Sequence, residues 1–204
     1  MLVTDRANVS PQKAPLFTFL NTCAMQYAEL SALSVRHGSC SGHRMPMKPM
    51  DPETNVMRTL LVDAPPEMVW KALTEPDLTK LYMGAILKSD LQLGKAIQWF
   101  RREEQGSHTL VAKGVVMAAQ PGERLRYTTY SLNSKLPDEP ASHTTVDLHL
   151  IEEDGGRTRV ELWQGDFAGL PLATRRTREL GKQWVEQLVG LKRVSEELAQ
   201  AKAA

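Results

Sequence analysis

Few side chains in this chain are of types and spacings that carry out chemistry. His37, Cys40 and His43 stand at intervals that suit metal ligation. A structural zinc site needs four ligands, however, and no second cluster completes these three. They also lie in a Gly- and Ser-rich stretch, so a solvated loop without metal is expected. His143 and His149 are six residues apart in or near one strand, an even spacing that puts both on one face. That face carries Thr145, Asp147 and Ile151, opposite Val146 and Leu148, and reads as the outer one. His108 falls in a turn, and none of these histidines stands beside a motif that would make it a general base. Glu103-Glu104 and Glu152-Glu153-Asp154 read as solvated turns. No Gly-rich phosphate loop, nucleophile elbow or paired-Cys metal motif occurs. No catalytic residue and no cofactor is therefore assigned, and a binding role is favoured over an enzymatic one.

The aromatic residues say more. Trp99, Tyr127 and Trp184 fall on faces that the hydrophobic period points inward, with Tyr82 close by. Together with Leu148, Leu162, Gln164 and Leu188 they form the candidate lining of a cavity. The Tyr127 phenol and the Gln164 amide would supply polar contacts in a mostly apolar wall, as small-ligand pockets do. The competing reading is a filled core, because large aromatics pack interiors and bond their polar atoms to backbone.

Positioning these residues requires a particular order of elements. Val56 to Val62 reads as a strand. Pro65 and Pro66 stop it and preset a first helical turn. Met68, Val69, Ala72 and Leu73 recur at helical spacing, and Pro76 ends that helix. Asp77 is expected to cap a second short helix carrying Leu78, Leu81 and Tyr82. After residue 84 the period becomes two. Ile97 and Trp99 share a face, Thr109 to Ala118 is β-branched and apolar, and Leu125, Tyr127 and Thr129 alternate with Arg124, Arg126 and Thr128. Val146, Leu148 and Leu150, then Val160 and Leu162 after a turn at Gly155-Gly156, continue the inward face. From about Leu172 to Ala201 a long helix presents Leu180, Trp184, Leu188 and Leu191, widened by Val185, Val194 and Leu198. A sheet with one apolar face needs a cover, and this helix supplies it. The expected fold is α+β: a curved antiparallel sheet of about six strands, two short helices after the first strand, and the long helix across the sheet.

The chain of 204 residues carries a net charge of +1 with 24% charged residues, a balance that gives no support for a nucleic-acid partner. Its apolar runs are too short for membrane insertion. Both cysteines precede residue 41, which fits a reducing, cytoplasmic setting. Residues 36–55 are rich in Gly, Pro and Ser and read as a linker. Residues 1–55 are thus an appendage, either disordered or holding one helix from about Pro15 to Val35, and residues 56–204 are the domain. The interruptions Asn21, Gln26 and Glu29 argue against a secretory signal.

Ala64-Pro65-Pro66-Glu67-Met68-Val69-Trp70-Lys71-Ala72-Leu73-Thr74 resembles the opening motif of the family named for the activator of the heat-shock-protein-90 ATPase. Leu93-Gly94, Pro121 to Thr128 and Thr158 to Leu162 are similar to it too, in the same order. The resemblance implies the helix-grip fold of the START-like (SRPBCC) superfamily. It implies three functions: binding of a hydrophobic small molecule, with a role in stress response; regulation of a chaperone or other protein partner; and cyclase- or hydrolase-type catalysis. For the second, the run Arg175-Arg176-Thr177-Arg178 and the face with Arg124 and Arg126 would meet an acidic partner, unless they are simply solvated. Many relatives carry a Trp-Trp or Trp-Phe pair where this chain has Tyr82-Met83, so no relative's ligand is carried over.

Overall fold

The computed structural model describes residues 51–104 and 106–203. The expected helix near residues 15–35, most of the linker, and the His37, Cys40 and His43 group lie outside the described residues. The element order is β1 (Val56–Val62), α1 (Pro66–Thr74), α2 (Pro76–Met83), β2 (Ile86–Ser89), β3 (Ala96–Arg102), β4 (His108–Gln120), β5 (Arg124–Ser131), β6 (Thr144–Glu153), β7 (Arg157–Gly165) and α3 (Ala173–Ala203). The strands form one antiparallel sheet in the order β1-β7-β6-β5-β4-β3-β2. It is curved and unclosed, with β1 and β2 as its edges. The sheet has seven strands rather than about six. The addition is β2, only four residues long, too short to display a period. Register shifts at Trp99/Phe100 and at Val116/Ala118 are bulges of the kind that bend and twist a strand.

The helices follow from local sequence with three corrections. In α1, Pro66 takes the first position and Met68, Val69, Ala72 and Leu73 are buried, as their spacing requires. In α2 the cap is Glu75, which makes no side-chain capping bond, and Pro76 opens the helix. The expected cap, Asp77, is an exposed first-turn residue paired with Lys80. Leu81, expected on the apolar face, is 53% exposed. Thr79 is buried in its place; its hydroxyl donates to the Pro76 carbonyl and accepts from the Leu87 amide at 3.1 Å. In α3, Trp184, Leu188, Leu191 and Val194 are buried, whereas Val185 is half exposed, because it lies a full step of about 100° from Trp184 around the helix. No described helix is long and apolar enough to cross a membrane.

The core joins α1, α2 and α3 to the inner sheet face. Val62, Val69, Ile97, Val116, Leu148, Val160, Leu191 and Val194 are almost completely buried. The long helix is also fastened to edge strand β1. Arg58 donates to the Gly181 carbonyl, Lys192 to the Leu61 carbonyl, and the Asp63 amide to Glu196. On the outer face Asp147 accepts two hydrogen bonds from Arg124, at 2.9 and 2.6 Å. His149 lies 3.2 Å from the same carboxylate, on the outer face where its spacing placed it. His143 is partly covered: it stacks on Tyr130 with ring centroids 5.2 Å apart.

Candidate functional site: a cavity between the sheet and the long helix

The space between the inner sheet face and α3 divides into a filled part and a hollow part. Trp99, Tyr127 and Trp184 sit at the division and line both. In the filled part they meet Tyr82, Leu148, Leu188 and their neighbours, leaving a void of only about 20 Å³. In the hollow part they meet Thr129, Thr144, Gln164, Phe167, Leu180 and others around a cavity of about 500 Å³. Leu162 is buried in the core and lines neither space. Of the expected lining residues, then, the structure brings Trp99, Tyr127, Gln164 and Trp184 together around the large cavity. It places Tyr82, Leu148 and Leu188 beneath them.

Alternation explains how β-strands deliver these side chains. Ile97 and Trp99 are two apart on β3, Tyr127 and Thr129 on β5, and Thr144 and Val146 on β6, so each pair shares a face. The rings of Trp99 and Tyr127 lie 5.1 Å apart, tilted by 42°, a spacing at which aromatic pairs attract beyond their buried area. They form a rigid apolar floor.

The polar atoms are differently disposed from the sequence expectation. The Trp184 indole N–H donates to Gln164 Oε1 at 2.6 Å, and Gln164 Nε2 donates to Thr144 Oγ1 at 2.8 Å. Gln164 therefore ties α3 to β6 and β7, and much of its bonding capacity is already used. The Tyr127 hydroxyl, by contrast, makes no hydrogen bond among the described residues. Burial pushes its ionisation well up, so it stays a neutral phenol able to donate. Tyr82 is pushed up as well, by burial and then by Tyr127, and its hydroxyl donates to the Ala72 carbonyl at 3.2 Å.

Sequence reasoning missed part of the wall. Arg101 follows Trp99 on the inner face of β3, and Arg176 precedes Leu180 and Trp184 at intervals of four on α3; both line the cavity. The periodicities that found the tryptophans also carry these arginines, yet Arg101 was not singled out and Arg176 was read as part of a basic run meeting an acidic partner or solvent. Segment 132–143, between β5 and β6, contributes Asn133, Ser134, Leu136 and Ser142 to the wall. It is held by Tyr130, whose hydroxyl donates to the Leu136 carbonyl at 2.7 Å, and by Arg176, which donates to the Ser134 carbonyl at 3.2 Å. Among the described residues no group of three or more His, Cys, Asp or Glu side chains is placed to hold a metal ion.

Comparison with known proteins agrees with this architecture. The solved structure of NE0264 from Nitrosomonas europaea matches with a TM-score of 0.58 at 21% identity, over 74% of this chain and 99% of that one. DynU16, from the dynemicin biosynthetic locus, matches with a TM-score of 0.54 at 19% identity, over 69% of this chain but 46% of its own. The Aha1 dimer from Colwellia psychrerythraea matches with a TM-score of 0.53 at 17% identity, over 70% and 96%. These likenesses concern the fold. No curated protein matches the chain. The family model described as activator of Hsp90 ATPase homolog 1-like protein matches residues 63–196, a span that runs from the end of β1 through most of α3. This chain therefore belongs to that family, within the START-like (SRPBCC) superfamily.

Proposed function

We propose that residues 56–204 form a binding domain for a small, largely apolar organic molecule, held between the sheet and α3. The observation that carries this reading is the division of the interior. The same three aromatics close a filled core on one side and floor a hollow of about 500 Å³ on the other. That volume lies within the range of small-molecule sites, roughly 300–1,000 Å³. Placement of DynU16 in a biosynthetic locus is in keeping with small-molecule work on this fold.

The alternatives have less support. Regulation of a chaperone through the basic run would need that run free on the surface. Arg176 is instead drawn into the cavity wall, and Arg175 is paired with Glu179 at 2.8 Å. Catalysis by acid–base chemistry would need a pair of groups on the wall. The one carboxylate among the lining residues, Glu179, is the one that Arg175 holds.

Fluorescence titration with N-phenylnaphthylamine tests the proposal. The expected result is saturable binding near one per chain, weakened by Trp99→Ala and little affected by Arg126→Ala on the outer face. Bound probe should also raise the melting temperature by mass action. An absence of saturable binding, with Trp99→Ala strongly destabilising, would instead support the filled-core reading.

A further inference from the structure

Two inward stripes of the cavity wall each end in an arginine. On β3 the inner face reads Ile97, Trp99, Arg101. On α3 it reads Arg176, Leu180, Trp184, Leu188. Ile97, Trp99, Trp184 and Leu188 are buried, Arg176 is half-buried and Arg101 is exposed, so both cations belong to the solvent side of the cavity. Arg176 is fixed there without an acid: its Nε donates to the Pro171 carbonyl at 2.8 Å and its Nη2 to the Ser134 carbonyl at 3.2 Å. A guanidinium has five N–H donors, so three remain for another partner. Arg101 makes no hydrogen bond or ion pair among the described residues. The wall's single carboxylate, Glu179, is occupied by Arg175 from outside the cavity. With the Glu179 charge met by Arg175, the charges of Arg101 and Arg176 are not balanced by any other carboxylate of the wall.

From this we propose that the cavity takes an amphipathic organic acid, a deeper statement of the binding reading above and dependent on it. Its apolar body lies against Trp99 and Tyr127, and its single carboxylate is directed toward Arg101 and Arg176. Guanidinium geometry matches a carboxylate through paired N–H···O bonds. The neutral Tyr127 phenol serves a polar atom on the ligand body.

Pyrenebutyrate and pyrenebutanol share one ring system and chain length and differ in the acid, so the pair separates the two levels of the proposal. The wild-type protein should bind pyrenebutyrate about tenfold more tightly at low salt, the scale of one charge-assisted hydrogen bond near solvent. Added salt should shrink that preference. Arg101→Gln and Arg176→Gln should each weaken pyrenebutyrate several-fold more than pyrenebutanol, and Arg101→Lys should restore part of the preference. Because Arg176 also anchors segment 132–143, Arg101→Gln, which breaks no contact among the described residues, carries the test. Equal binding of the two probes, or a preference that survives both glutamine substitutions, would overturn the anion proposal and leave the cavity reading standing. Binding of neither probe would remove the cavity reading, and this inference with it.

Discussion

At the residue scale, Trp184 and Gln164 decide how α3 sits on the sheet. Trp184→Ala should cost about 3–5 kcal/mol, the range for truncating a large buried aromatic. Trp184→Phe keeps most of the ring but leaves Gln164 Oε1 without its donor, and should cost about 1–3 kcal/mol. Chemical denaturation of the two variants separates packing from hydrogen bonding, and a loss below about 1 kcal/mol for the alanine would contradict the observed burial. Asp147 gives a pH signature on the outer face. Burial raises its pKa, but hydrogen bonds from Arg124 and the charges of Arg124, His149 and Arg126 outweigh that and hold it below the usual carboxylate value. Its stabilisation is thus present above the unfolded pKa, about 3.9, and is lost as pH falls through the lower folded value. Asp147→Asn should be less stable than wild type at neutral pH by about 1.5–3 kcal/mol, with the difference closing below about pH 4. A gap that persists in acid would mean that the asparagine disturbs packing instead. Individual positions were unevenly legible in sequence. Trp99, Tyr127 and Trp184 were placed by alternation and by the helical stripe. Arg101 and Arg176 obey the same periods, but an arginine on an inward face is recognisable only when the space before it is known to be hollow.

At the scale of elements, most of the order was legible because each boundary has a local cause. Pro65-Pro66 and Pro76 set α1 and α2, and the hairpin glycines separate the strands. What escaped was β2, whose pairing with β3 creates it more than its own sequence does, and the exact phase of α2. The packing of α2 on α3 explains why phase matters. A Cβ at Gly190 would meet the Tyr82 Cβ at 2.4 Å, so glycine permits the close approach of the two helices. Gly190→Ala should therefore destabilise by about 1–3 kcal/mol, the cost of overpacking. Its improved helix propensity, worth about 1 kcal/mol, acts in the opposite direction. A thermal melt showing stabilisation would mean that the two helices can separate without loss. Val185 lies one step from buried Trp184 and Leu81 two residues from buried Thr79, so each is turned off the buried side of its helix, a distinction that composition within a stripe does not make.

At the scale of the whole molecule, the described strands, helices and core all lie within residues 51–203, which leads to the expectation that this part folds alone. Deleting residues 1–50 should leave a single cooperative thermal transition, and an insoluble or unfolded product would place the earlier residues within the folding unit. The sequence identified an interior shared by sheet and helix but left its filling open, since volumes depend on how far the sheet curves away from α3. The structure divides that interior, and the proposed function rests on the hollow part being empty space that a ligand can occupy. Ala112, on the cavity wall beside the Trp99 strand, offers the most direct test. Ala112→Phe should project a ring into the hollow, and N-phenylnaphthylamine titration together with a thermal melt reads the outcome. The account predicts at least about a tenfold loss of probe affinity with the melting temperature held within about 4 °C of wild type. Unchanged probe affinity in a folded Ala112→Phe protein would place binding elsewhere, and would contradict the assignment of this cavity as the ligand site.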